Sequence, residues 1–176
     1  LTNFLTQTTI PYGYVDPPAE IIKDGETQYW KVTHNGVDTH FIHFHLFLVQ
    51  VINRVGWDGM IKPPDANELG WKDTVRMNPL EDIIVAIRPF KQTLPWKLGN
   101  SIRPLDVTQP VGVSLTNQFT NVDPTNQPAT VFNDLTNFGW EYVWHCHILG
   151  HEENDMMRAV SFVVAPEAPT ITAAQG

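Results

Sequence analysis

The feature that most constrains this chain is Trp144-His145-Cys146-His147-Ile148-Leu149-Gly150-His151, with Met156 five residues beyond the last histidine. Cys146 is the single cysteine among 176 residues, and it lies between two histidines. A thiolate, two imidazoles and a thioether are the ligand set of a blue-copper centre. Upstream, Gly139 to Trp144 alternates aromatic with small or polar residues, which predicts a β-strand ending at His-Cys-His. Side chains on a strand point alternately to opposite faces. His145 and His147 then share one face and Cys146 takes the other, so one short peptide would serve two different metal sites.

A second cluster has the same character. Thr39-His40-Phe41-Ile42-His43-Phe44-His45 contains H-x-x-H-x-H at the start of a long apolar run. On a strand His43 and His45 share a face and His40 has the other parity. Six of the seven histidines fall in the two motifs. His40, Cys146 and His151 with Met156 would make the blue site, leaving His43, His45, His145 and His147 for a histidine-only site. Bland readings exist for each part: a lone strand His is more often a hydrogen-bonded core residue, and a lone buried Cys a small hydrophobe. One tetrahedral zinc needs four ligands and would leave several strong ones unused. A binuclear zinc hydrolase would want Asp soon after H-x-H, where Leu46-Phe47 stand, and a cupin would want Glu near Val49 and Gln50. The joint occurrence of both motifs puts copper ahead.

These motifs resemble the C-terminal cupredoxin domain of a multicopper oxidase of the laccase family. Tyr142 to Leu149 and Gly70-Trp71-Lys72-Asp73-Thr74-Val75 look most like the bacterial spore-coat laccase and bilirubin oxidase branch. The similarity covers about residues 25–88 and 139–164. Phe41 stands where the family usually has Pro, and Gly150 where Glu is common. The resemblance implies an all-β, Greek-key β-sandwich fold of the cupredoxin type. It assigns His40, Cys146, His151 and the axial Met156 to type 1 copper, His43 to type 2, and His45, His145 and His147 to the binuclear type 3 pair. It implies single-electron oxidation of a phenol, aromatic amine or tetrapyrrole at type 1 copper and reduction of dioxygen to water at the trinuclear cluster. Glu152 matches the acidic residue that relays protons to that cluster, its bland alternative being an exposed surface acid. The family's trinuclear cluster takes eight histidines, four from an N-terminal domain, and no H-x-H precedes His40 here. The resemblance therefore implies an N-terminal cupredoxin domain or partner chain. An extracytoplasmic location (periplasm, spore coat or secreted) rests on the resemblance alone. The rival is a blue-copper electron-transfer domain without oxidase activity, which would have no use for His43, His45 and His147. A nitrite-reductase-like trimer would place only one His beside the Cys.

Length allows one full β-sandwich core. The net charge of -8 argues against nucleic acid and anionic membrane surfaces as partners. No stretch reads as a membrane span or a signal peptide, and the polar start at Leu1 reads like the middle of a longer chain. Residues 1–26, with Pro17-Pro18, read as an inter-domain linker or leading strand, 27–165 as the cupredoxin domain, and 166–176 as a solvated tail. Gln28–Thr33 alternates as a half-buried strand, and His34-Asn35-Gly36 reads as a turn with His34 solvated. Phe41–Arg54 reads as one strand, buried on both faces near its start, and Gly56–Gly70 as a polar loop. Ile83–Arg88 and Arg158–Val164 complete the strands, and Asp73 is a candidate hydrogen-bond partner for a ligand histidine. Residues 91–137, rich in Pro, Thr, Asn and Gln, form a long insertion before the ligand strand, of the kind that is usually functional.

Overall fold

The computed structural model describes residues 12–14, 16–45, 47–115, 127–128 and 130–165. The proposed tail at 166–176 lies outside the described residues. In chain order the elements are β1 (Glu20–Lys23), β2 (Gln28–His34), β3 (His40–Phe44), β4 (Val49–Gly56), β5 (Ile61–Lys62) and β6 (Thr74–Met77). They continue with β7 (Glu81–Ile87), β8 (Ile102–Pro104), β9 (Leu135–Asn137), β10 (Trp140–Cys146), the single-turn α1 (Leu149–Glu152) and β11 (Met157–Val163). A five-stranded sheet of order β1-β11-β10-β3-β6 faces a four-stranded sheet of order β2-β7-β4-β5, with β8 and β9 as a separate pair. This is the all-β sandwich the sequence predicts. No helix of the described residues is long and apolar enough to cross a membrane.

Two-residue alternation builds the core. Every second residue of β7, from Glu81 to Ile87, is buried. Ile42, Phe44, Val75, Met77, Val160 and Phe162 of the five-stranded sheet meet Val49, Val51, Ile83, Val85 and Ile87 of the other. Each such side chain contributes about 1.5–3 kcal/mol when fully buried. Trp30 stands edge-on to both Phe44 and Trp144, at centroid separations of 5.9 and 6.1 Å, and closes the core behind β10.

Three segments differ from expectation. Phe41–Arg54 is two strands, because the chain leaves one sheet after Phe44 and enters the other at Val49, and Phe41 on the outer side is 43% exposed. The stretch at 56–70 holds β5 and a 3-10 turn, Ala66–Glu68, tied by Asp65 and Glu68 in a reciprocal cap. His34 is the last residue of β2 and is buried, not solvated. It shares parity with Trp30 and Val32, so extending the strand by one residue turns it inward.

The insertion has a small core of its own. Leu105, Leu115, Val131 and Phe138 pack on Ala159, on the outer face of β11, which is why β11 is buried on both faces. Asn133, fully buried, donates from Nδ2 to the carbonyls of Asp106, Gln109 and Pro110 and accepts the Asp106 N–H at 2.9 Å. Glu141 of β10 accepts from Ser101 and from the Arg103 guanidinium, fastening the insertion to that strand. Gly139 makes the turn into β10 at φ 61, where a Cβ would lie 2.5 Å from the Phe162 carbonyl oxygen.

On the opposite sheet Arg54 is buried in a carboxylate cage. Its guanidinium pairs with both oxygens of Glu68, lies 3.1 Å from Glu81 and donates to the Arg76 carbonyl. Breaking a buried pair by deleting one partner leaves an uncompensated charge and costs about 3–5 kcal/mol. Arg54→Ala is expected to lower unfolding free energy by about that amount in denaturant titrations. Burial opposes ionisation of Glu68, but the Arg54 hydrogen bonds, the Asp65 N–H and the charges of Arg54 and Arg76 together outweigh it and hold the carboxyl below its ordinary 4.5. The stability this contributes is complete above that value and is lost as pH falls through the depressed folded one. Glu68→Gln should flatten that acid limb.

Candidate metal centres

The pairing of β3 with β10 brings the two histidine clusters together. Cys146 lies opposite Ile42, and His145 opposite His43. Cys146 therefore faces the core and is 1% exposed, while His43, His45 and His145 project from the outer face. His40 has the core-facing parity of Ile42 and Phe44. Its Nδ1 lies 3.2 Å from Cys146 Sγ. After β10 the chain turns through α1, whose His151 N–H donates to the Ile148 carbonyl at 2.7 Å. This turn returns His151 Nδ1 to 3.3 Å from the same sulfur. Met156 closes the loop: the Cys146 N–H donates to its carbonyl at 3.2 Å, and β11 starts at the next residue. The Met156 side chain is 45% exposed.

On the outer face His43, His45 and His145 bring ring nitrogens within 4.8 Å of one another. His45 Nε2 and His145 Nε2 are 3.0 Å apart. His147 stands beside this trio, its ring centroid 5.3 Å from those of His43 and His145. Each of three rings has its Nδ1 occupied by an oxygen, which leaves Nε2 for a ligand. His43 Nδ1 lies 3.0 Å from both the Asp73 carbonyl and Thr74 Oγ1. The expected partner Asp73 thus contributes its backbone, not its carboxylate. Glu152 Oε1 lies 3.1 Å from the Nδ1 atoms of both His145 and His147. His151 and Glu152 are consecutive on α1, and the helical rotation between them sends one to each cluster. Glu152 is partly buried by these contacts and is not a free surface acid.

Burial, then the neighbouring rings of His34 and His151, hold His40 below the ordinary imidazole value. Burial and the rings of His145, His43 and His147 do the same to His45. A buried thiol with two imidazole nitrogens is a soft, copper-type donor set, and the outer trio is a borderline nitrogen set. Both fit the metal expected.

A sandwich with a buried Cys-His-His set and a histidine cluster on opposite faces of one strand defines a cupredoxin-type copper protein. A family model described as multicopper oxidase matches residues 3–98, more than half of the chain, and the chain belongs to that family. Copper is the family's cofactor. The chain is 29% identical over 163 residues to a laccase of Haloferax volcanii, covering 92% of this chain and 20% of that protein. It is 28% identical to a laccase of Bacillus subtilis, covering 81% and 21%. It thus spans about a fifth of the length of these relatives. Among solved structures, a multicopper oxidase from Campylobacter jejuni aligns with TM-score 0.54 at 15% identity over 87% of this chain and 22% of that one. One from Pediococcus acidilactici aligns with TM-score 0.53 at 20% identity over 92% and 25%. These two likenesses show the fold.

In the metal-free chain, the His40 and His45 Cε1–H resonances should titrate below 6.5. Because the unfolded chain binds these protons first, stability is complete above 6.5 and falls as pH drops toward the folded values. NMR titration and thermal melts between about pH 7 and 5 check both statements, and ordinary midpoints for both rings would contradict them.

Proposed function

We propose that this chain is the C-terminal copper-binding part of a multicopper oxidase, with residues 27–165 as the cupredoxin unit and 91–137 inserted into it. Copper held here supplies the redox chemistry: single electrons accepted from a phenolic, aromatic-amine or tetrapyrrole reductant at one site, and dioxygen reduced to water at the other. His40, Cys146 and His151, together with Met156, would hold the first ion. His43, His45, His145 and His147 supply half of the imidazoles of the second site. The observation that carries this reading is the placement of the two clusters on opposite faces of β10, joined by one peptide bond between His145 and Cys146.

The chain's own residues have defined tasks. Cys146 provides the thiolate and is shielded from solvent by the core. The Asp73 carbonyl and Glu152 fix the rings of His43, His145 and His147 so that Nε2 faces outward. Glu152 also holds a proton position between two imidazoles, which suits it to pass protons to the reaction site. His45 and His147 are exposed, and an N-terminal cupredoxin domain or partner chain of the same oxidase is proposed to cover them. An electron-transfer domain with no oxidase role is the alternative, and the gathering of four histidines away from the thiolate disfavours it.

The 176-residue chain loaded with copper should bind one ion firmly and turn blue. Copper at the half-site should be weak, since affinity depends on a complete preorganised ligand set, and oxygen uptake with a phenol should be negligible. Adding the N-terminal portion should restore tight loading and turnover. Full copper loading with vigorous oxygen consumption by this chain alone would refute the half-site reading. Cys146→Ser should abolish the blue band; a mutant that stays blue sinks the ligand assignment. Glu152→Leu should weaken copper at the histidine cluster in the assembled enzyme by about 10–100-fold, the usual effect of losing an outer hydrogen-bond partner. The blue band should survive that change, and equilibrium dialysis with visible spectroscopy separates the two sites.

A further inference from the structure

His34 is outside both ligand motifs, yet the fold carries it to the thiolate site. It follows Trp30 and Val32 on the inward side of β2 and is 8% exposed. Its Nδ1 accepts the Gly36 N–H at 3.0 Å. A neutral imidazole with Nδ1 accepting carries its proton on Nε2, and this Nε2 is buried without a hydrogen-bond partner. Opposite it in register is Glu81, whose carboxylate is already engaged by Arg54, Lys62 and Asn78. An unpaired buried donor costs about 1–3 kcal/mol, so hydrogen bonding at Nε2 does not account for the ring's inward position. It is kept against His40: the two centroids are 4.8 Å apart with planes tilted by 45°. His40 in turn lies 4.9 Å from His151. Three imidazoles thus stand in a row, and the last two present Nδ1 to Cys146 Sγ. Gly36 closes on the first ring so tightly that a Cβ there would lie 2.9 Å from His34 Cε1.

We propose that His34 is a positioning residue for the Cys146 site: clamped by the turn to Gly36, its ring sets the plane of His40 and thereby the angle at which Nδ1 and the thiolate meet a bound copper. The inference rests on the reading of that site as a copper centre. A strand residue such as His40 retains freedom about its χ1 and χ2 torsions unless something packs on the ring. The core packs the opposite side of Cys146, and His34 supplies the contact on the side of His40.

The test uses the copper-loaded 176-residue chain and reads the visible thiolate band, the copper hyperfine splitting in EPR, and copper loss to a chelator. His34→Ala is expected to shift the band and the splitting and to speed copper loss about tenfold. His34→Phe, which keeps a ring in place, should stay close to the parent. Gly36 does not have a positive φ, so Ala suits its backbone, and the only strain of Gly36→Ala comes from the His34 ring. Gly36→Ala should therefore perturb the spectrum in the parent and be silent when combined with His34→Ala, a non-additivity that a general loss of stability would not produce. If His34→Ala does not fold, the shift in Gly36→Ala with a parental spectrum in His34→Phe still decides for the proposal. Parental spectra and copper retention in both His34→Ala and Gly36→Ala, or additive effects in the double variant, would overturn it. A parent chain that takes up copper without a thiolate band would overturn the copper reading itself, a result visible before any variant is made.

Discussion

Everything in this structure depends on the backbone pairing of β10 with β3 and on the reversal of side-chain direction at each residue along it. Trp144 and Cys146 face the interior opposite Phe44 and Ile42; His145 faces out opposite His43. Two neighbouring residues thereby enter environments of opposite character. The thiol sits in a dry apolar layer with two imidazole nitrogens, and the outward histidines gather on a face that water reaches. No longer linker could hold two sites so close while keeping their surroundings so different.

The remainder of the fold braces that pairing. Trp30 backs Trp144 from the second sheet, and the insertion covers the outer side of β11 and grips β10 through Glu141. The single turn α1 is as consequential as any strand. Placing His151 and Glu152 on consecutive helical positions connects both clusters to one short loop, so a displacement of that loop would disturb both together. The Arg54 cage, far smaller in area than the core, holds the 3-10 turn after β5 to β4 and β7 by charge and hydrogen bonds.

The grouping of His40 and His151 around Cys146, and of His43 and His45 with His145, was legible because the two motifs hold rare residue types at fixed spacing, and a single cysteine between two histidines leaves little freedom. Strand parity then separated Cys146 from His145, and His40 from His43 and His45. His34 was missed for a local reason: Asn35-Gly36 is a strong turn signal, and reading the turn one residue early removed the histidine from the inward series of Trp30 and Val32. Phe41–Arg54 was read as one strand because Phe, Ile, Leu and Val run through both halves, and periodicity alone does not reveal a crossing between sheets. The insertion hid its order because its core is assembled from separated residues, Leu105, Leu115, Val131 and Phe138, with no common period.

What the sequence by itself determined was the chemistry: which atoms are available, that they are soft and nitrogenous, and on which side of a strand each must lie. Those properties are local, set by side-chain identity and by the two-residue repeat of extended backbone. The tertiary structure alone decided which nitrogen of each ring is presented and that the Asp73 carbonyl, not its carboxylate, meets His43. It alone decided that Glu152 bridges His145 and His147, and that His34 rests on His40. Such contacts join residues up to tens of positions apart through the closing of two sheets. Their geometry is fixed by packing, and no spacing along the chain encodes it.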